Sequence, residues 1–330
     1  MIITQRKTRS RLPSVILLAA TACALAACTG ELENAAPPAN VLTFTIPGFD
    51  VPVGREIQRC YYYKVPSDVD LDIATLRMDT TAGSHHFQVY VSDVEDYPDG
   101  ASEECFRIVD FERWHMVFAS QSATLEWGLP QGVAVRLNAG QQLMIQTHYI
   151  NTGALKTPGG VGGGTLTMVE APPGSVKTHM GAIFGVNYDI HLPPHQKATA
   201  DANCVFPREG KIAALTGHYH FFGKNFRAKI VDATGANDRD PFYEVAGFNE
   251  LRFDTWPEAQ APVVPANSAI NWHCDYENTS DKELVFGAQE VDHEHCNMFA
   301  FYYPAEPQEF RPCRNNDRDG DNRQDNGQTP

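Results

Sequence analysis

The chain has 330 residues, of which 42% are hydrophobic, so it can bury one large hydrophobic core or two ordinary ones. At roughly 150 residues per domain, this length favours two domains. The formal net charge of −15 argues against nucleic acid as a partner, because a phosphate backbone attracts basic surfaces.

The first 28 residues have the pattern of an export signal. Four basic residues between positions 6 and 11 precede an apolar run from Val15 to Ala27, which is too short to span a bilayer comfortably. The run leads into Cys28 with the letters LAAC, which resemble the bacterial lipobox, where the cysteine is lipidated and becomes the new N-terminus. We therefore predict an exported protein, held at the membrane only by a lipid on Cys28. Thr29 is compatible with the outer membrane of a Gram-negative cell, facing the periplasm or the cell surface.

Residues 29–40 are small, polar and proline-bearing, so we expect a flexible tether before a folded part that starts near Val41. With Cys23 and Cys28 set aside, six cysteines remain, an even number typical of disulfides in an oxidising compartment. The composition leaves their pairing open. The six are Cys60, Cys105, Cys204, Cys274, Cys296 and Cys313.

The folded part consists of short apolar or alternating runs separated by glycine and proline clusters, which is typical of antiparallel β-structure. No segment keeps a helical period over about three turns, and βαβ alternation is absent. We predict an all-β fold of two tandem antiparallel sandwiches. The clearest strand candidates are residues 87–91, 142–149, 165–169, 211–215 and 226–231.

Two glycine- and proline-rich stretches divide the chain. Residues 158–164 lack the lysine and the following helix of a phosphate loop, so we predict a flexible hairpin or loop. The Pro-Pro-Gly sequence at 172–174 predicts a boundary between domains 41–171 and 172–313. Residues 314–330 imitate the start of a calcium loop but lack its closing glutamate, so a disordered acidic tail is favoured.

Histidines are numerous, twelve in all, and several are grouped. In a strand, residues i and i+2 share a face, so His218 and His220 can present two imidazoles to one metal ion. Adjacent histidines point to opposite faces, so His85 and His86 need a local bulge or a particular choice of ring nitrogen to reach one ion. We expect His115 and His179 to be packed or hydrogen-bonded instead, while the remaining His191, His195 and His273 match no motif.

Four histidine motifs resemble those of the copper type II, ascorbate-dependent monooxygenases, the family of peptidylglycine α-hydroxylating monooxygenase and dopamine β-monooxygenase. SHHF at 84–87 looks like the family's His-His-Met segment, and QTHY at 146–149 looks like its Gln-x-His-Tyr segment. GHYH with the following Gly-Lys, at 217–224, is similar to the His-x-His…Gly-Lys segment, and CNMFAFYY at 296–303 is similar to the closing strand.

The resemblance covers about residues 60–313 and implies jelly-roll-like sandwiches with two coppers per chain. It implies an electron-transfer copper on His85, His86 and His148 in the first domain. It also implies a catalytic copper on His218, His220 and a third ligand, which reacts with O₂ and hydroxylates a C–H bond while ascorbate or another reductant supplies electrons. The implied disulfides are Cys60–Cys105, Cys204–Cys313 and Cys274–Cys296.

The third ligand of the catalytic copper departs from the family pattern. The family has a weakly binding methionine before the closing-strand cysteine, where this chain has His295. Imidazole is a harder donor and favours Cu(II). Met298 is the alternative ligand, but residues 295 and 298 of a strand point to opposite faces, so we predict His295. His293 shares the face of His295 and is the other nearby candidate.

The substrate-binding residues of the peptide-hydroxylating members are also changed. Their arginine corresponds to Thr216 and their closing-strand tyrosine to Phe299, while Asn297 is kept. Threonine cannot form a forked pair with a carboxylate, so a peptide ending in glycine is not supported as the substrate. We expect a small molecule of unknown identity, with O₂ as co-substrate.

Two other functions remain open. A non-catalytic copper-binding or copper-carrying lipoprotein would follow if His295 converts the oxygenase site into a storage or electron-transfer site. A zinc hydrolase using His218 and His220 is the last alternative, because it leaves the histidines of the first set without a role.

Overall fold

The structure is a computed structural model that describes residues 40–105, 109–155, 159–232, 240–248, 251–290 and 292–315. The predicted export signal, the lipidation site Cys28, the tether up to residue 39 and the acidic tail from residue 316 lie outside the described residues. Within the described ranges, no helix is long and apolar enough to cross a membrane.

The regular structure is made of β-strands, numbered here in chain order, and includes a short 3₁₀ helix at Glu258–Gln260. The strands before residue 172 are β1 Val41–Asp50, β2 Glu56–Lys64, β3 Leu71–Thr80, β4 Ser84–Ser92, β5 Ser102–Glu104, β6 His115–Ser120, β7 Thr124–Gly128, β8 Val133–Leu137, β9 Gln142–Ile150 and β10 Val161–Glu170. The later strands are β11 Thr178–Val186, β12 His191–Leu192, β13 Gln196–Phe206, β14 Gly210–His218, β15 Gly223–Asp232, β16 Tyr243–Ala246, β17 Asp254–Thr255, β18 Val263–Val264, β19 Ser268–Asn278, β20 Leu284–Val285, β21 Asn297–Ala305 and β22 Phe310–Arg314.

The strands associate into one large sheet and three smaller ones. The large sheet has eleven strands with the main order β1-β10-β3-β8-β11-β21-β14-β17. A five-stranded sheet, β5-β2-β9-β4-β6, belongs to the first half of the chain, and a four-stranded sheet, β13-β19-β15-β16, belongs to the second. The all-β prediction is confirmed, and each of the five strand candidates lies within β4, β9, β10, β14 or β15.

The middle of the large sheet is buried on both faces, because alternate residues of its strands enter two different hydrophobic cores. Phe184 of β11 and Phe299 of β21 belong to the core under the five-stranded sheet. Their neighbours Ile183 and Met298 belong to the core under the four-stranded sheet. The two-residue period of a strand therefore lets one layer serve both halves. The division at residue 171 stays a prediction.

The sequence predicted antiparallel sheets, but the large sheet also contains parallel pairs of strands. Strand β11 pairs in parallel with both β8 and β22. Parallel neighbours need long crossover connections, and β11 is far from β22 in the sequence. Alternation of apolar and polar residues carries no information about such long-range pairing, so the parallel pairs could not be predicted.

The glycine-rich stretch was predicted to be a flexible hairpin or loop, but its second half is in a strand. Residues 161–164 begin strand β10, which pairs with β1 on one side and β3 on the other. The ring of Phe49 packs directly over Gly162, where any side chain would clash. The hydroxyl of Tyr149 donates to the carbonyl of Gly163 at 2.7 Å and accepts from its N–H at 3.1 Å. Glycine is used here for close packing between strands.

Three disulfides cross-link the described residues. Cys60 is bonded to Cys105, Cys204 to Cys313 and Cys274 to Cys296. These are the pairs that the resemblance implies. The third disulfide joins β19 to the residue that follows His295, so it fixes the start of the closing strand.

Candidate metal centre

The first histidine set consists of His85, His86 and His148 and lies on two neighbouring strands of the five-stranded sheet. His86 of β4 faces His148 of β9 across the antiparallel ladder. The ladder shifts register between Ser84 and His86, so His85 is the extra residue of a β-bulge. The rings of His85 and His86 both lie beside that of His148, with centroid distances of 5.3 and 5.1 Å. A bulge was one of the two ways in which adjacent histidines could share an ion.

The second set is brought together by the large sheet. His218 ends β14 and is paired with Asn297, the first residue of β21. His220 follows β14 in the chain, and its ring centroid lies 5.4 Å from that of His218. His295 precedes β21, and its backbone carbonyl oxygen accepts a hydrogen bond from the hydroxyl of Tyr276. His295 therefore lies outside the strand, so the face argument used to choose it over Met298 does not apply.

The candidates for the third ligand of the second set separate clearly. The Nδ1 atom of His295 lies 3.1 Å from Nε2 of His218. Met298 is buried in the core under the four-stranded sheet and belongs to none of the three ligand groups described below. His293 contributes its carbonyl oxygen, which accepts a hydrogen bond from Nδ1 of His220 at 3.0 Å.

The two sets form one continuous cluster. The ring of His218 lies 5.0 Å from that of His85 and 5.1 Å from that of His86, measured between centroids. The rings of His220 and His295 are 4.2 Å apart. All six histidines are buried except His295, which is half-buried. Two sets that the resemblance treats as separate sites therefore meet in one place.

The described chain contains three groups of three residues that could bind a metal ion, and within each group the ligand atoms all lie within 4.8 Å of one another. One is the predicted set of His218, His220 and His295. A second combines His85 and His86 with His218, and a third combines His85, His220 and Glu290. His148 belongs to none of these three groups, and its Nε2 atom lies 3.3 Å from a carboxylate oxygen of Glu56.

Hydrogen bonds fix which ring nitrogen points into the cluster. Nδ1 of His218 donates to the side-chain oxygen of Gln121 at 2.9 Å, which directs Nε2 toward His295. Nδ1 of His220 is engaged by the backbone of His293, so its Nε2 is also directed inward. Such outer partners set the tautomer and the orientation of histidine ligands.

The histidines are held in the form that binds metals. Burial, together with the neighbouring imidazoles, lowers the pKa of His85, His86, His218 and His295 well below the usual range. Burial lowers the pKa of His220 to about 3. Neutral imidazole has a free lone pair for a metal, whereas imidazolium does not. At neutral pH these rings are therefore neutral imidazoles, each with one nitrogen free to bind a metal.

Sequence reasoning missed two buried glutamates in the segment before β21. Glu290 is fully buried beside His85 and His220, and burial raises the pKa of its carboxyl group well above the usual range. Glu294 is also fully buried, which raises its pKa to about 8, although its carboxylate accepts backbone N–H groups from His220 at 2.9 Å and Phe222 at 2.7 Å. The only sequence signal was the position of Glu294 between two histidines.

A cavity of about 180 Å³ opens onto the cluster. Its walls include His86 and His220, apolar side chains such as Phe184 and Phe286, and four amide side chains. The amides are those of Gln58, Gln88, Gln146 and Asn297, so the predicted substrate residue lies on the cavity wall. Thr216 and Phe299, which replace the family's other substrate residues, are buried and are not among the lining residues.

Several buried donor atoms of the cluster lack hydrogen-bond partners, as expected for the ligands of a metal ion. Nε2 of His85, Nδ1 of His86 and both carboxylate oxygens of Glu290 are buried and have no hydrogen-bond partner among the described residues. Buried polar atoms without partners are rare, and convergent ring nitrogens suit copper or zinc. The histidine and glutamate groups can therefore hold a metal ion.

The remaining histidines lie elsewhere. Nε2 of His179 lies 2.9 Å from the carboxylate of Asp72, as expected for a hydrogen-bonded residue, and the ring of His115 packs against Phe310. His191 and His195 are exposed beside acidic residues. His273 lies between two aspartates, as described below.

No protein-family model and no curated protein matches the chain. Among solved structures, PBCV-1 VP54, fitted into a reconstruction of the virophage Sputnik, matches with a TM-score of 0.25 and 9% identity over 80% of this chain and 94% of that chain. The structure of infectious bursal disease virus Gx strain matches with a TM-score of 0.20 and 10% identity over 84% of this chain and 75% of that chain. Likenesses this weak carry no argument about function.

Proposed function

We propose that the protein is an exported copper-dependent monooxygenase that hydroxylates a C–H bond of a small molecule, using O₂ and a reductant such as ascorbate. The observation that supports this most is the position of the histidine cluster. His86, His218, His220 and His295 line the same cavity, so a molecule in the cavity would lie against the metal ligands. The motif resemblance supplies the choice of copper over zinc.

Copper, when bound, would supply the redox chemistry, in which substrate, O₂, two electrons and two protons give the hydroxylated product and water. The chain's own residues hold and shield this chemistry. The histidines offer unprotonated nitrogens, and Gln121 keeps His218 in one orientation. The apolar side chains of Phe184, Val186 and Phe286 limit the entry of water into the cavity.

The cavity indicates what kind of substrate would fit. Its volume of about 180 Å³ is close to that of the roughly 150 Å³ protein cavity known to hold benzene, so one ring or an equivalent aliphatic group can enter. Among the described residues, the lining includes no lysine, arginine or carboxylate, which favours an uncharged molecule. The amides of Gln88, Gln146 and Asn297 offer donors and acceptors for one or two polar groups.

The test is incorporation of labelled oxygen. The full-length chain in detergent, loaded with copper, would be incubated with ¹⁸O₂, ascorbate and a panel of uncharged single-ring compounds. The proposal expects products that carry one ¹⁸O atom, and His218→Ala should abolish them while His179→Ala should not. Product formation that is unchanged in His218→Ala, or no labelled product from a copper-loaded chain, would contradict the proposal.

A non-catalytic copper-binding protein is the second candidate. The observation that favours it is the imidazole of His295 in place of a thioether, because nitrogen donors stabilise Cu(II). A carrier would release its copper to a competing chelator or acceptor without consuming O₂. Stoichiometric copper binding with no oxygen uptake, in the presence of ascorbate and the full panel, would favour the carrier.

A further inference from the structure

Glu290 is the most unusual acidic residue among those described. It lies between β20 and β21, its side chain is completely buried, and neither carboxylate oxygen has a hydrogen-bond partner among the described residues. A buried carboxylate without partners is costly whether it is ionised or protonated, because the protonated form also needs an acceptor. Some group outside the described residues is therefore expected to satisfy it.

The neighbours of Glu290 indicate what that group is. Its Oε2 atom lies 3.2 Å from Nε2 of His85 and 3.6 Å from Nε2 of His220. Ligands that bind one metal ion at about 2.0–2.2 Å are separated from one another by roughly 3–3.5 Å. The two measured separations are close to this spacing, and the ligand atoms of the three residues all lie within 4.8 Å of one another, so they can converge on a single ion.

We propose that Glu290 is a metal ligand, which forms with His85 and His220 a two-histidine, one-carboxylate site between the two histidine sets. The site would take a divalent cation that accepts mixed nitrogen and oxygen donors, such as Cu²⁺ or Zn²⁺. The proposal rests on the metal centre of the proposed function but does not depend on hydroxylation.

The backbone around Glu290 is held in place independently of any metal. Its N–H donates to the carboxylate of Glu56 at 3.0 Å, and the same oxygen of Glu56 lies 3.3 Å from Nε2 of His148. Glu56 thus ties the segment that carries Glu290 to strand β9. Preorganisation of this kind is expected for a metal ligand.

The site connects the two predicted copper sites through their own ligands. His85 belongs to the set assigned to electron transfer, and His220 belongs to the set assigned to catalysis. Nδ1 of His220 is occupied by the backbone, so only one nitrogen of that ring is available for a metal. An ion held by His85, His220 and Glu290 would therefore take His220 away from the set of His218 and His295, so these two groups are alternative sites for a metal ion.

The experiment compares Glu290→Gln with a matched control, Glu294→Gln. Both glutamates are fully buried in the same segment, but the carboxylate of Glu294 accepts backbone N–H groups and belongs to none of the three ligand groups of the described chain. For the full-length chain in detergent, the affinities for Cu²⁺ and Zn²⁺ would be measured by chelator competition. The cupric EPR spectrum and the melting temperature with and without metal would be recorded for each variant.

We expect Glu290→Gln to lower the affinity for at least one metal equivalent by about tenfold or more and to change the cupric spectrum. Its metal-free form should be at least as stable as the wild type, since a buried acid without partners has been removed. Glu294→Gln should instead destabilise the metal-free form, because it weakens the bonds to the backbone.

Wild-type affinity and an unchanged spectrum in Glu290→Gln would overturn the proposal, as would a wild-type chain that binds neither metal. If metal binding depends on Glu290 but the ¹⁸O₂ experiment gives no labelled product, the monooxygenase function fails and the ligand assignment stands. If labelled product forms and Glu290→Gln binds metal normally, the reverse holds.

Discussion

The rings of His85 and His218 lie 5.0 Å apart, although the motifs assign these residues to two different metal sites. His85 comes from the bulge in β4 and His218 from the end of β14, so the contact joins the five-stranded sheet to the large sheet. Any metal ions held here are close neighbours. Substitution of one set is therefore expected to affect the other.

This proximity gives a first prediction. His148→Ala should alter the spectrum of copper bound near His218 as well as copper bound near His86, because His148 and His218 both contact His86. The measurement is the cupric EPR spectrum at one and two equivalents of copper. Two independent signals, of which only one responds to the substitution, would show that the sets act separately.

Gln121 is expected to tune copper binding from outside the ligand set. Gln121→Ala removes the acceptor for Nδ1 of His218 and should weaken copper binding by about 10- to 100-fold. Chelator competition measures the change. The control is Ser122→Ala, in the same loop between β6 and β7, which should bind copper like the wild type. An affinity of Gln121→Ala within twofold of the wild type would mean that the ring is held by packing alone.

The disulfide beside His295 is expected to serve both stability and metal binding. Replacing Cys274 and Cys296 by serine opens a link across 22 residues and should lower the free energy of unfolding by about 2–4 kcal/mol, as measured in denaturant. The same change should disturb copper binding, because the link fixes the residue next to His295. The control pair, Cys204 and Cys313, should lose stability and keep the copper spectrum; an equal spectral change in both would contradict this role.

His273 is expected to make stability depend on pH. Burial opposes its charge, but the carboxylates of Asp201 at 2.6 Å and Asp275 at 2.9 Å outweigh that effect and raise the pKa of His273. Arg227, which pairs with Asp275 at 3.0 Å, opposes the shift. A raised pKa in the folded state stabilises the fold below the unfolded pKa of about 6.5, and this contribution is lost as the pH rises through the folded value.

The corresponding variant is His273→Gln. At pH 5.5 it should lose on the order of 1 kcal/mol of stability relative to the wild type; the loss is small because the partly exposed aspartates interact weakly with the ring. At pH 8.5 the loss should be smaller still, because the imidazole of the wild type is then uncharged. Denaturant titrations at both pH values measure the difference. The exposed His191→Gln is the control, and a difference for His273→Gln that does not change with pH would refute the assignment.

The cavity is expected to limit substrate size. Ala288→Leu places three further carbons against a space of about 180 Å³, so larger members of the substrate panel should be excluded while copper binding stays normal. Binding of the ring compounds to the copper-loaded protein, measured by calorimetry, should weaken by about tenfold or more for the largest compounds. Equal weakening for all sizes would place the binding site elsewhere.

Much of the fold followed from short-range patterns. The alternation in residues 87–91 and 226–231 predicted strands because a half-buried strand repeats every two residues. The same pattern was silent on the parallel pairing of β11 and on the common sheet. The glycine cluster at residues 158–164 predicted a flexible hairpin or loop, whereas residues 161–164 are in a strand and the ring of Phe49 from another strand packs over Gly162.

The candidate site divides in the same way. The sequence by itself indicated that histidines could bind a metal, since grouped histidines and their motifs predicted six ring donors, with His295 preferred to Met298. Only the tertiary structure decided that the six form one cluster, that His148 faces Glu56, and that Gln121 and Glu290 belong to the centre. The physical reason is that motifs record neighbours along the chain, whereas coordination and hydrogen bonding depend on distances across sheets whose pairing is set by the whole core.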